Sequence, residues 1–182
     1  SLLFPMVYNQ TANALDSLTG INYPSATDTR LMAYADNATL PGFSMPFFTA
    51  GDFSINGGIT QPFLWSSDSG QYTLVVSPYG GNAYAKGVST DGKVIGYADT
   101  TPSSGTTNHA FVWSNGNFTD LGTLGGHDSY AYGISPITGM VVGESQIANG
   151  EFRGFYQTGA GSLQALSTLG GTSSRALAIS FD

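Results

Sequence analysis

The sequence predicts an all-β fold made of repeated four-stranded antiparallel sheets of about 45 residues, and three observations predict it. Glycine pairs recur at a fixed interval: Gly80-Gly81, Gly125-Gly126 and Gly170-Gly171 stand 45 residues apart each time. An apolar pentapeptide precedes each pair, QPFLW at 61–65, HAFVW at 109–113 and RGFYQ at 153–157. No segment sustains a helical period of apolar residues, so helix content should be very low.

Within the clearest repeat the strands can be placed in order. Four runs rich in β-branched and aromatic residues span Tyr84 to Ser89, Lys93 to Ala98, His109 to Trp113 and Asn117 to Leu121. The first run keeps small residues at alternate places, Ala85 and Gly87, and the later copies repeat them as Ala131 and Gly133 and as Ala176 and Ala178. Such a strand suits the crowded innermost position of a sheet, where neighbouring backbones converge. Asp91-Gly92 joins the first run to the second and Asn115-Gly116 the third to the fourth. Both dipeptides favour tight two-residue turns, because their residues tolerate positive φ. The result is a meander. Phe63, Phe111 and Phe155 recur at one place in the unit and Trp65 and Trp113 at another, which argues for packing between sheets rather than for a sugar-stacking platform. A weaker copy lies near the N-terminus, where Arg30 to Phe53 follows the pattern of Lys93 to Phe118 and so aligns Arg30–Ala35 with the second run.

One such sheet cannot cover both of its faces. Stacking identical neighbours around an axis solves this, and four-stranded units of this length are the signature of a β-propeller. The 182 residues make about four blades, or a partial propeller completed by strand exchange. The chain is out of phase at its ends: it stops at ALAISFD, where the other copies continue into a second strand, and opens with LLFPMVYNQ, which resembles that strand. The expectation is one domain, with 1–60 an irregular N-terminal repeat region carrying a closing strand and 61–182 the regular repeats. The alternative is that the open end pairs with a second copy, giving oligomers or filaments.

Composition narrows the function. Net charge is −7, and the five basic residues, Arg30, Lys86, Lys93, Arg153 and Arg175, make no patch able to displace counterions from a phosphate backbone, which excludes nucleic acid as a partner. No apolar run approaches the ~20 residues of a membrane helix, so no membrane insertion is expected. The absence of cysteine removes disulfides, thiolate catalysis and cysteine zinc sites. Only 9% of residues are charged while glycine, hydroxyls and amides are abundant, a profile that suits β-structure outside the cell. The chain opens Ser1-Leu2-Leu3 without methionine, as expected if a leader peptide has been removed or the chain is a fragment.

The segment HAFVWSNGNFTDLGTLGGHDSYAYGISPITGMVVGES, from His109 to Ser145, resembles the HAF repeat family of predicted extracellular bacterial proteins, named for the tripeptide that stands here as His109-Ala110-Phe111. The likeness holds over roughly 61–182 and weakens over 1–60. It implies export, propeller-like repeats and a place at the cell surface, and it implies no catalytic residue.

No nucleophile, base and acid can be nominated by spacing from His109 or His127. Asp120, Asp128, Glu144 and Glu151 are the acids a carbohydrate-active hydrolase would have to draw on, and Glu144, which replaces Tyr97 of the neighbouring copy, reads as an exposed strand position. No cofactor or metal motif is present, since Ser89 to Lys93 reads as a hairpin turn rather than a calcium loop. The residues leading into each innermost strand vary between copies, and loops on a rigid scaffold are where ligands bind. Asn82, Tyr84, His127, Asp128, Tyr130 and Arg175 are therefore the expected ligand-binding residues. The function expected is a non-enzymatic extracellular scaffold for binding, adhesion or assembly, with a protein, a carbohydrate or copies of itself as partner. The alternatives are a self-assembling structural subunit and a carbohydrate-active hydrolase.

Overall fold

The computed structural model describes residues 6–9, 14–17, 26–35, 48–55, 58–101 and 107–180, with side chains over 48–54, 58–101 and 107–180. Every regular element among them is a strand. A short hairpin pairs β1 (Met6–Asn9) with β2 (Ala14–Ser17). Three four-stranded sheets follow. The first holds β3 (Ala26–Ala35), β4 (Phe48–Ile55), β5 (Thr60–Ser66) and β6 (Gln71–Leu74). The second holds β7 (Ala83–Val88), β8 (Val94–Asp99), β9 (Asn108–Ser114) and β10 (Asn117–Asp120). The third holds β11 (Gly125–Ile134), β12 (Val141–Ile147), β13 (Phe152–Gln157) and β14 (Gln164–Ala165). Each is an antiparallel meander in chain order, as the turn chemistry predicts.

The three sheets share one register and one irregularity. Gly51, Gly96 and Gly143 face Phe63, Phe111 and Phe155 on the third strand. On the first strand the same glycines face Leu31, Ala85 and Ala131, and the ladder then skips one residue, resuming at Ala33, Gly87 and Gly133. A bulge therefore lies between the paired small residues of β7 and β11. It brings the preceding carbonyl into side-chain space: a Cβ on Gly96 would lie 1.8 Å from the Tyr84 oxygen, and one on Gly143 1.9 Å from the Tyr130 oxygen.

This register corrects the N-terminal alignment. Arg30–Ala35 belongs to β3, a first strand, and the second-strand place is taken by β4. Both kinds of strand are short runs that mix apolar with small residues, so composition matches either, whereas the bulge and its facing glycine decide which is which. The first sheet also draws two strands from before residue 60 and two from Thr60 onward.

Asn115 (φ 49) and Gly116 (φ 84) form the expected two-residue turn, with both residues at positive φ. At Asp91-Gly92 only Gly92 is left-handed (φ 78); Ser89 N–H donates to the Lys93 oxygen (2.9 Å) and Gly92 N–H to the Ser89 oxygen (3.1 Å). Ser89 and Lys93 thus close a longer loop, and Gly92 supplies its final left-handed residue. The first glycine of each Gly-Gly pair is left-handed as well, at φ 73, 102 and 96 for Gly80, Gly125 and Gly170.

The sheets stack face to face through two cores. Ala50, Leu64, Val75, Ala85, Val94, Phe111 and Trp113 fill the space between the first and second sheets; Ile95, Ala110, Ala131, Ile134, Val141, Phe155 and Leu163 fill that between the second and third. Alternation along β9 explains the division, since Phe111 and Trp113 face one way and Ala110 and Val112 the other. Phe63, Phe111 and Phe155 are at most 1% exposed, as expected of packing residues. Trp65 is half-buried and lies against Tyr72 of its own sheet, at 6.5 Å between ring centroids.

The third glycine pair leads into a segment lying on the third sheet as β11 lies on the second. Ala110 N–H donates to Ser129 Oγ (2.8 Å), and at the equivalent place Gly154 N–H donates to Ser174 Oγ (3.0 Å). Ser174 N–H reaches the Phe152 oxygen (3.1 Å) and Ala176 N–H the Gly143 oxygen (3.2 Å). Of the expected closing strand the described residues show one ladder, β1 with β2, from Met6–Ser17 to Asn9–Ala14. Residues 1–5, 181 and 182, which belong to the rest of that expected junction, lie outside the described residues.

Candidate functional site

The candidate site forms along the edge made by the first strands. Ala85 and Ala131 turn into the cores, so the intervening Tyr84 and Lys86 on β7, and Tyr130 and Tyr132 on β11, turn the other way. Tyr97 pairs with Tyr84, and Glu144, at the equivalent place in the next sheet, pairs with Tyr130. Arg175 holds the corresponding place in the C-terminal segment.

These side chains form a continuous surface. Ring centroids of Tyr84 and Tyr97 lie 5.1 Å apart, and Tyr97 meets Tyr130 edge to face at 5.0 Å across the junction between sheets. Tyr130 is parallel to Tyr132 at 6.4 Å and tilted against Phe152 at 6.3 Å. Lys86 Nζ sits 5.4 Å above the Tyr97 ring, within range for a cation–π contact. Burial, above all, raises the phenol pKa values of Tyr97, Tyr130 and Tyr132; for Tyr132 the hydrogen bond to Glu144 adds to it. The phenols stay protonated around neutral pH and present O–H donors.

At the third junction an ion pair replaces ring contact. Glu144 is 6% exposed; its Oε1 accepts from the Tyr132 hydroxyl (2.7 Å) and its Oε2 forms an ion pair with Arg175, 3.1 Å from Nε. The Arg175 side chain is 61% exposed. Beside the pair an open recess of about 270 Å³ is lined by Glu144, Phe152, Ser173, Ser174 and Arg175.

Of the residues expected from sequence, Tyr84, Tyr130 and Arg175 belong to this edge. Asn82 and Asp128 turn toward the preceding sheet, where Asn82 Oδ1 accepts from Thr60 N–H (2.8 Å) and Asp128 Oδ1 from Asn108 N–H (2.8 Å). They are ties between sheets. His127 is exposed in the Gly-Gly loop, its backbone N–H donating to Gln146 Oε1 (3.1 Å). Sequence reasoning missed Tyr97, Tyr132 and Phe152, and it read Glu144 as exposed. The structure buries Glu144 because its partners come from β11 and from the next repeat. By the shared register the column reads Asp52, Tyr97 and Glu144, and Asp52 is buried as well, its Oδ1 accepting from Ala85 N–H (2.6 Å); the available signal was an acid at the same place in two of the three copies.

The other acids have separate partners. Asp120 accepts from the Tyr79 hydroxyl (2.7 Å), Gly122 N–H (2.7 Å) and His109 Nδ1 (2.9 Å), joining the β6–β7 connection to the β9–β10 hairpin. Glu151 pairs with Arg153 at 2.9 Å. Among the described residues no three histidine or acidic side chains are placed to hold a metal ion, and no helix is long and apolar enough to cross a membrane.

Fold and edge together define an all-β repeat protein of stacked four-stranded sheets with a tyrosine-lined surface. No family model matches the chain, and no match was found among the curated proteins.

Proposed function

We propose that the protein is a non-enzymatic extracellular scaffold that binds its partner, a protein or carbohydrate at a cell surface, through the first-strand edge. The observation that carries this reading is the unbroken run from Tyr84 through Tyr97 to Tyr130, three phenols from two repeats that are only half-buried. Aromatic side chains with a polar tip are the residues that binding surfaces favour. In this reading the sheets are blades of a propeller of about four units, closed within the chain or by strand exchange, and the edge rings one mouth of its axis. The resemblance of His109 to Ser145 to HAF repeats is what supports the extracellular placement. The test is binding of the purified protein to intact bacterial cells: Tyr130→Ala, with its circular dichroism spectrum unchanged, should reduce binding at least about tenfold. Binding equal to that of the original protein would remove the edge from the function.

A second reading, a self-assembling subunit, is favoured by one observation. The C-terminal segment lies on the third sheet in a first-strand place, and Leu169 and Leu177 stand 98% and 62% exposed beside it. Light scattering separates the two: a monodisperse monomer rejects assembly through strand addition.

A further inference from the structure

We infer that the recess beside Glu144 and Arg175 binds a neutral saccharide. The inference rests on the reading of the first-strand edge as a ligand surface and assigns it a ligand class. At the second junction the equivalent positions are filled by Tyr97 against Tyr130, edge to face; at the third the ion pair takes less room, and the space left over is the recess. At about 270 Å³ it falls just below the roughly 300–1,000 Å³ of small-molecule pockets, a size for a terminal sugar unit rather than a folded partner.

Its lining matches a sugar ring. Phe152, tilted against Tyr130 at 6.3 Å, offers an aromatic surface for the C–H face of a pyranose. Arg175 is paired with Glu144 through Nε at 3.1 Å, and its two terminal nitrogens carry four donors in a fixed fork, suited to adjacent hydroxyls. Glu144, almost wholly buried at the base, is an acceptor held in place by Tyr132. Ser174 Oγ accepts from Gly154 N–H, which leaves its own proton to donate, and Ser173 adds an exposed hydroxyl. Donors and acceptors alternating around one apolar face suit a ligand that is a hydroxyl-bearing ring.

Charge selects a neutral ligand. The one cation of the recess is already opposed by Glu144, and the chain carries −7 overall, so an acidic sugar would meet no uncompensated positive charge.

The test is isothermal titration of the full chain with neutral gluco-, manno- and xylo-oligosaccharides, with galacturonate oligomers and an uncharged peptide alongside. A neutral oligosaccharide should bind, and Phe152→Ala and Ser173→Trp should each weaken it at least about tenfold. Ser173→Trp fills the recess from an exposed position and decides the matter should Phe152→Ala fail to fold. Unchanged affinity in Ser173→Trp, or binding of the galacturonate or the peptide alone, overturns the assignment. If no neutral sugar binds while Tyr130→Ala still abolishes cell binding, the saccharide assignment falls and the broader reading stands. If neutral sugar binding is lost in Ser173→Trp while Tyr130→Ala binds cells normally, the recess stands and the broader reading falls.

Discussion

Ser129 and Ser174 reach across to the preceding sheet and accept hydrogen bonds from the buried N–H groups of Ala110 and Gly154. At the first junction the same two places hold Pro62 and Ala83, one without an N–H and the other without a hydroxyl. Donor and acceptor are kept or dropped together, as expected when a lone buried polar group costs more than the pair contributes. Ser129→Ala should therefore destabilise the protein by about 1–3 kcal/mol, by leaving the wholly buried Ala110 N–H without its acceptor. Ala83→Ser should give no gain, since Pro62 has nothing to donate. Urea denaturation midpoints of the two variants check both statements. The two columns could be read in the sequence, but their coupling could not, because the partners lie about 20 residues apart in different sheets.

At the scale of elements, the turn residues and apolar runs made the second sheet legible to within about a residue: the run Lys93 to Ala98 became Val94–Asp99, and His109 to Trp113 became Asn108–Ser114. The first sheet was less legible because its bulge carries no compositional mark. The Tyr79–Asp120–His109 cluster, which binds the β6–β7 connection to the β9–β10 hairpin, makes element stability depend on pH. Burial first, then the bond to Asp120, lifts the Tyr79 pKa from its ordinary 10.0 to about 12. A folded value above the unfolded one means the contribution is complete below pH 10.0 and lost as pH rises toward 12. For Asp120 burial is the largest single influence and pushes upward, but hydrogen bonds from Tyr79, Gly122 and His109 outweigh it and hold the carboxyl below its ordinary 3.8. That contribution is complete above 3.8 and lost as pH falls through the folded value. Melting temperature against pH should fall at both extremes. In Asp120→Asn it should start lower near neutral pH and fall less at each end; parallel curves would contradict the assignment.

At the scale of the whole molecule, the described residues form a short stack of three sheets with a core at each of the two junctions. Phe111, wholly buried and stacked on Phe118 at 4.6 Å, faces the first core, while its neighbour Ala110 faces the second. Phe111→Ala should cost about 3–5 kcal/mol. In a stack with nearest-neighbour coupling the loss should be local. Amide exchange should quicken in β4, β5 and β7–β10 before β12 and β13, whereas uniform quickening would mean that the three sheets open as one unit.

Periodicity, turn dipeptides and the alternation of small and aromatic residues determined by themselves that this chain is a β repeat protein whose unit is a four-stranded meander. These are short-range properties, set by backbone sterics and by which face of a strand each side chain takes. Only the tertiary structure decided that Asn82 and Asp128 tie sheets together, that Glu144 is buried, and that Tyr84, Tyr97 and Tyr130 form one surface. The physical reason is that each of those outcomes depends on which face of the adjacent repeat meets a residue, and a one-residue bulge, silent in composition, sets that meeting.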